Sequence, residues 1–502
     1  MTAPARSGLG FDASRAKFES LVVLLDGADA GALTHGQLEE RLQVEGRELM
    51  RLLFQDHLDL RAGRERRAAS VVDAAGVRRE RVEAGRGRAL ASVFGELSVS
   101  RLAYRAGGYS DLHPADALLN LPAERHSHGL RMLAAVESSR GSFDDAAAAV
   151  TRSTGQVLGK RQVEDLAARS AVDFDAFYAQ RAAQAVGENA VLVLSFDGKG
   201  VVMRRDALRE QTAKAAATAQ NKLGSRLSRG EKANRKRVAE VGAVYDAQPV
   251  PRTAADVIAL TDSERDSAST EAPKATAKWL TASINDDAAT VIAAVFDEAE
   301  RRDSDHDRTW VVLVDGNNHQ IHRARAEAKA RGAPVSILID FIHVIEYLWK
   351  AAWSFHNEGD PAAEAWVHKH ARQILEGRAR VVAGNIRRQA TNAGLDPKQR
   401  TGADTAARYL TNKAPYLDYP TALTAGWPIA TGVIEGACRH LVKDRMDITG
   451  ARWGLDGAEA ILKLRAIVSN SDFNAYWRFH LDQEHRRVHQ SRYAHAKIPH
   501  AA

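Results

Sequence analysis

Three aspartates each follow an apolar run. Val191-Leu-Val-Leu-Ser-Phe196 ends at Asp197-Gly198, Thr309-Trp-Val-Val-Leu-Val314 at Asp315-Gly316, and Val335-Ser-Ile-Leu-Ile339 at Asp340. One acid after an apolar run is usually a turn residue. As a set they say more, because adjacent strands of a sheet bring their ends side by side, so Asp197 and Asp315 can sit close together. The glycine after each lets backbone or substrate approach. A third acid, Glu435, lies in Thr431-Gly-Val-Ile-Glu435-Gly-Ala-Cys-Arg439-His-Leu-Val-Lys443-Asp-Arg445. Read as an α-helix, this stretch puts Glu435, Arg439 and Lys443 four residues apart on one face, a carboxylate beside two cations suited to phosphate. As plain structure it is an ion-pair ladder. Three oxygen donors without a thiolate partner suit a hard divalent cation, Mg²⁺ first and Mn²⁺ as a substitute. Two such ions can activate a water or a 3′-hydroxyl and stabilise the leaving oxygen of a phosphodiester. Clustered carboxylates repel without metal, so convergence and metal binding are expected together.

These residues need elements to hold them. Val191–Phe196, Val238–Tyr245, Thr309–Val314 and Val335–Ile339 read as strands, and 273–301 and His319–Arg331 as helices. Strands separated by helical crossovers imply a mixed sheet with helices packed on it. Only two strands are legible before the first crossover; Pro249 and Pro251 interrupt where a third would lie. From Phe341 to Gly426 the pattern is helical throughout, which marks an all-helical insertion. Trp349 and Trp353, four apart within it, are expected to be core. Cys438 is expected to be a small apolar filler, and His343 a structural or supporting histidine.

Before the core, residues 12–62 read as helix, 89–104 as a β element and 129–186 again as helix. Phe143–Val150, a turn with Gly155, and Leu158–Leu166 form a helix-turn-helix candidate, with Lys160, Arg161 and Gln162 at the start of the second helix, where DNA is met. The whole-chain charge is 70 basic minus 64 acidic residues, +6. It is concentrated: Val201–Arg237 holds eleven Lys/Arg, including Arg235, Lys236 and Arg237, against three acids. That tract is poor in large apolar residues and reads as a loop or loose helix able to neutralise phosphates; a solvated insertion is the plainer alternative. Arg372–Arg400 adds seven basic residues against two acidic ones.

The chain is 502 residues long with 45% apolar residues, which excludes a wholly disordered or collagen-like protein. No apolar run approaches the ~20 residues of a membrane span. No apolar segment follows the first residues Met-Thr-Ala-Pro-Ala-Arg, so a secretory signal is not expected. A single cysteine excludes an intrachain disulfide and fits a reducing cytoplasm.

The order strand–Asp197-Gly, strand–Asp315-Gly, strand–Asp340-Phe-Ile-His343, helical insertion, Thr431-Gly-Val-Ile-Glu435-Gly resembles the DDE insertion-sequence transposases of the Mutator-like group, particularly the ISKra type. The resemblance spans roughly Val191–Trp477, and its Glu435 block is the specific part. It implies a mixed α/β fold: a ribonuclease H-like catalytic core over 189–342 and 427–480 with an all-helical insertion at 343–426. Before the core it implies a mostly helical N-terminal region with a small β element (1–125) and a helix-turn-helix-like DNA-binding region (126–188); a basic tail (481–502) would follow. Carried over, Asp197, Asp315 and Glu435 are the metal-binding triad, with Asp340 and His343 as supporting residues. Arg439, Lys443, Arg445 and Arg452 are DNA contacts of the terminal helix and the Thr449-Gly-Ala-Arg452-Trp453 turn. The implied activity is cleavage at the ends of a mobile element, bound through its terminal inverted repeats, and joining of the 3′ ends to target DNA. Two ends must be joined at once, so a homodimer or larger assembly on DNA is expected. Two other classes remain open at this point: a nuclease of the same fold without strand transfer, and a non-catalytic DNA-binding protein.

Overall fold

The structure, a computed structural model, describes residues 10–181, 190–218, 223, 225, 235–261, 263–264, 271–448 and 450–499. The chain divides into two compact units, Met1–Ala179 with Ser471–Ala502, and Gln180–Asn470.

In the second unit, strands form where the sequence is continuously apolar. β1 (Val191–Val202), β2 (Lys236–Ala247), β3 (Ala275–Ser283), β4 (Trp310–Val314) and β5 (Val335–Ile339) make one sheet in the order β3-β2-β1-β4-β5. β2 runs antiparallel to both β1 and β3; β4 is parallel to β1 and β5 to β4. Leu192, Val193, Leu194, Val311, Val312 and Leu313 are fully buried, as central strands covered on both faces must be.

The third strand is the main departure from the sequence reading. Residues 273–301 were expected to be one helix, but 275–283 is β3 and only α1 (Ala288–Arg302) is helical. Alanine favours helix, yet the pairing of β3 with β2, from Glu240↔Ser283 to Ala247↔Ala275, and the burial of Trp279 and Ala282 outweigh that small preference. β1 also continues through Asp197 to Val202, so Asp197 is a mid-strand residue and not a strand end. α2 (Asn318–Arg331) links β4 to β5. Then come α3 (Phe341–Ala352), α4 (Pro361–Leu375), α5 (Ala379–Asn392), α6 (Thr401–Lys413) and a short helix at Tyr419–Thr424. No strand occurs in this stretch among the described residues. α7 (Gly432–Ala437) runs into a π-helical turn at Cys438–Lys443, and α8 (Leu455–Ser469) lies along β3, where Glu459 accepts the Ser283 hydroxyl and the Ile284 N–H.

In the first unit, the β element is a hairpin of Arg81–Ser92 and Gly95–Arg105. Leu58 of the long helix His35–Arg64 packs on it with Leu90, Leu97 and Val99. The helices His128–Arg140, Phe143–Thr154 and Lys160–Ser170 pack on one another.

The helix Phe473–Val488 also belongs to this unit, although its first part was expected in the catalytic core and the residues from 481 as a basic tail. Its anchor is a buried charge network. Arg131, with no exposed surface, reaches Glu124 and Glu484, and Asp173 accepts from His480 Nδ1 (2.7 Å) and Arg487 (2.8 Å). Partners more than 300 residues apart leave no local trace in sequence.

No helix among the described residues is long and apolar enough to cross a membrane.

Candidate active site

Strand register sets the first two acids. β1 and β4 pair in parallel up to Ser195↔Leu313, so two residues further on Asp197 and Asp315 reach the same level. β4 and β5 pair up to Val314↔Ile339, which brings Asp340 level with Asp315. Neighbouring strands lie about 4.8 Å apart, so register sets the three aspartates level in a row, just past the ends of β4 and β5 and midway along β1.

The face can be read as well. A Cβ on Gly242 would strike Val295 and Val291 of α1. Alternation then turns Val241, and Asp197 paired with it, to the opposite face. That face carries the Glu435 segment, because the Cys438 thiol, on the turn that follows α7, donates to Asp197 Oδ2 at 3.4 Å.

Asp340 brings that segment in. Its Oδ1 accepts the Ile342 N–H (2.9 Å), capping α3, and its Oδ2 accepts the Thr431 hydroxyl. The Phe341 N–H donates to Ile429 O at 2.8 Å, and the Glu435 N–H to Thr431 O at 3.0 Å. The start of α7 is thereby tied to the end of β5. Burial raises the Asp340 carboxyl above its ordinary range, and the Thr431 and Ile342 bonds oppose the shift. Asp340 is thus a tether, each of its carboxyl oxygens accepting a hydrogen bond. Asp340→Ala is expected to destabilise the protein by about 2–3 kcal/mol in urea unfolding: about 1 for the lost cap and the rest for the stranded buried Thr431 hydroxyl.

The electrostatics tie Glu435 to the row. Glu435 lies at the surface; the desolvation it does meet comes first, then Asp340, Glu346 and Asp197, all pushing its carboxyl upward, and His343 opposes them. Burial and then Asp197 likewise hold the Cys438 thiol far above its usual value, so it is a protonated donor and not a nucleophile. Asp315 folds into a turn in which its Oδ1 accepts the Asn317 N–H at 2.8 Å. His343 lies 3.5 Å from Glu346. His319 is exposed at the start of α2. Two acids escaped the sequence reading. Glu346 is one turn after His343. Glu240, on β2, is raised by burial and then by Asp197, and a Cβ on Gly198 would lie 3.3 Å from its Oε2. An acid inside the otherwise apolar run Val238–Tyr245 was the available signal for Glu240.

Among the described residues no group of three or more His, Cys, Asp or Glu is close enough to hold one ion in this arrangement. Asp197, Asp315 and Glu435 offer oxygen donors alone, a chemistry that fits a hard divalent cation better than a thiophilic one.

The cations fall into two groups. Arg439, 72% exposed, and Lys443 and Arg452 are accessible. The π-helical turn breaks the i,i+4 face expected for Glu435, Arg439 and Lys443: it widens the spacing, so Arg439 pairs with Asp444, five residues on, at 3.7 Å. Arg465 donates to the His440 and Leu441 carbonyls, at 2.8 and 3.1 Å, satisfying that turn. Arg445 was expected on DNA, but it is 3% exposed and lies over the Trp453 ring at 4.7 Å. Arg237 is also engaged, donating to the Ile284 and Asn285 carbonyls at 2.7 and 3.2 Å. Arg235 and Lys236 are half-buried at the start of β2. Lys222, Arg226, Arg229, Glu231 and Lys232 of the basic tract, and Thr449, lie outside the described residues. Trp349 and Trp353 stack at 5.2 Å; Trp353, expected in the core, is 44% exposed, and Trp349 is half-buried.

In the helix-turn-helix candidate, Gly155 (φ +70°) ends the first helix and the second opens at Lys160. Gln162 caps it by accepting the Gly159 N–H at 2.9 Å, Lys160 pairs with Asp144 across the two helices, and Arg161 is exposed.

No family model matches the chain, and no curated protein matches it in sequence.

Proposed function

We propose that this protein is a metal-dependent DNA-cleaving and strand-transferring enzyme, a DDE transposase, with Asp197, Asp315 and Glu435 as its metal-binding acids. The observation that carries the reading is the level placement of Asp197 and Asp315 on adjacent strands, with Glu435 arriving on the same face beside Asp197. The sheet order, three antiparallel strands followed by two parallel ones, supports a ribonuclease H-like core. Bound Mg²⁺, or Mn²⁺ in its place, supplies Lewis-acid activation of the attacking oxygen and neutralises the leaving one.

The chain's own residues do the rest. The three carboxylates hold the ions. Asp340 anchors α7, which carries Glu435, with His343 beside it. The exposed Arg439, Lys443 and Arg452 meet phosphates near the acids, Arg235 and Lys236 belong to a basic tract along flanking or target DNA, and Lys160 and Arg161 engage the terminal repeats. Two ends are joined by a homodimer or a larger assembly on DNA, in the reducing cytoplasm that a single thiol suits.

The test is a labelled duplex ending in the terminal repeat that flanks the coding sequence, incubated with the full-length protein, Mg²⁺ and a supercoiled plasmid. Label joined to the plasmid is the expected product. Hydrolysis without joining would favour a nuclease, and binding with neither would leave a non-catalytic DNA-binding protein.

A further inference from the structure

The turn that carries Asp315 is gripped from outside the sheet. Tyr409, on α6 of the helical insertion, donates its hydroxyl to the Asp315 carbonyl oxygen at 3.1 Å. Gly316 lies under the same hydroxyl in the left-handed region, φ +94°, and a Cβ there would come within 2.6 Å of Tyr409 Oη. Four residues along α6, Lys413 donates to Asn318 Oδ1 at the far end of the turn. One face of α6 therefore holds both ends of Asp315–Asn318.

The grip is itself braced. The Tyr409 ring stacks on Tyr347 of α3 at 3.8 Å and 10°, and His343 stands edge-on to both rings. Lys350 lies 4.3 Å over the Tyr347 ring. Burial, then Tyr347 and Asp315, keep the Tyr409 phenol protonated and so a donor. Because Asp315 Oδ1 is bonded to the Asn317 N–H within the turn, the carboxylate moves with the backbone that Tyr409 holds.

We infer that Tyr409, backed by Lys413, is the positioning residue for Asp315, so that the helical insertion sets the geometry of the acid row. This rests on the reading of Asp315 as a metal ligand. Tyr409 touches no reacting atom; it acts through the peptide it holds.

The experiment is Mn²⁺ titration of the full-length protein, followed by the paramagnetic signal of the free ion, alongside metal-free thermal melting. Tyr409→Phe keeps the stacked ring and loses only the hydroxyl. It is expected to weaken Mn²⁺ binding about tenfold, the scale of an outer-shell deletion, with metal-free melting unchanged. Lys413→Met, which frees the other end of the turn, is expected to weaken it in the same direction and keeps the test open should Tyr409→Phe fold poorly. Asp315→Asn is the reference. Weakened binding in Asp315→Asn with wild-type binding in Tyr409→Phe overturns the positioning role alone. Undiminished binding in Asp315→Asn, or no Mn²⁺ binding by the wild type, overturns the ligand reading and the positioning role with it.

Discussion

Asp197→Asn is expected to abolish DNA cleavage and strand transfer while leaving the fold intact. Asp197 sits mid-strand on β1; its Oδ1 accepts from Gly198 N–H (2.7 Å) and its Oδ2 from Cys438 Sγ–H (3.4 Å), so an amide of the same shape keeps the first bond with its oxygen and turns its NH2 toward the sulfur, which can accept. What it cannot supply is the charge. If the metal centre contributes about 4 kcal/mol of transition-state stabilisation, losing it at about 1.4 kcal/mol per tenfold costs about 10³-fold in rate. The measurement is single-turnover cleavage of end-labelled DNA, with circular dichroism to verify the fold. Full recombination by Asp197→Asn would remove this residue from the chemistry and with it the triad.

Glu435→Gln is expected to have opposite effects on activity and stability. The folded protein raises the Glu435 carboxyl above its unfolded value, through local desolvation of a surface side chain and then the charges of Asp340, Glu346 and Asp197. The folded state therefore binds the proton more tightly. The resulting stability is complete below the ordinary carboxylate range and is lost as pH rises through the raised value. At pH 7.5 without metal the ionised side chain repels its neighbours, and the glutamine does not. Metal-free Glu435→Gln should melt about 1–3 °C above wild type at pH 7.5, with the gap closing toward pH 4. Added Mg²⁺ should raise the melting temperature of wild type and not of the variant, and cleavage should fall about 10³-fold, on the same accounting as for Asp197. A metal-free melting curve independent of pH and of the substitution would show that Glu435 does not share the field of the aspartates.

Much of this was legible in one dimension. Continuous apolar runs declared β1, β4 and β5, because buried parallel strands must be apolar on both faces, and Asp315-Gly316 marked where β4 ends; Asp197-Gly198 marked no end, since β1 runs on to Val202. Helical periodicity declared the insertion and the pair of helices around Gly155. The edge strand β3 was not legible, because alanine and threonine in Ala275–Ser283 fit either state and only the partner β2 decides between them. The π-helical turn was not legible either: an i,i+4 ladder assumes 3.6 residues per turn, and the half-buried Arg465 that satisfies the freed carbonyls lies more than twenty residues away.

The sequence by itself determined which residue types could bind a cation and, apart from β3 and the π-helical turn, where the main strands and helices of the second unit lie, since these follow from local chemistry and period. Only the tertiary structure decided which charges remain available. It buried Arg445 against Trp453, spent Arg237 on carbonyls, drew the last long helix into the first unit through Arg131 and Asp173, and set Tyr409 on the Asp315 turn. Each depends on groups distant along the chain meeting in space, and no local pattern records whether a side chain will find its partner in the solvent or in the fold.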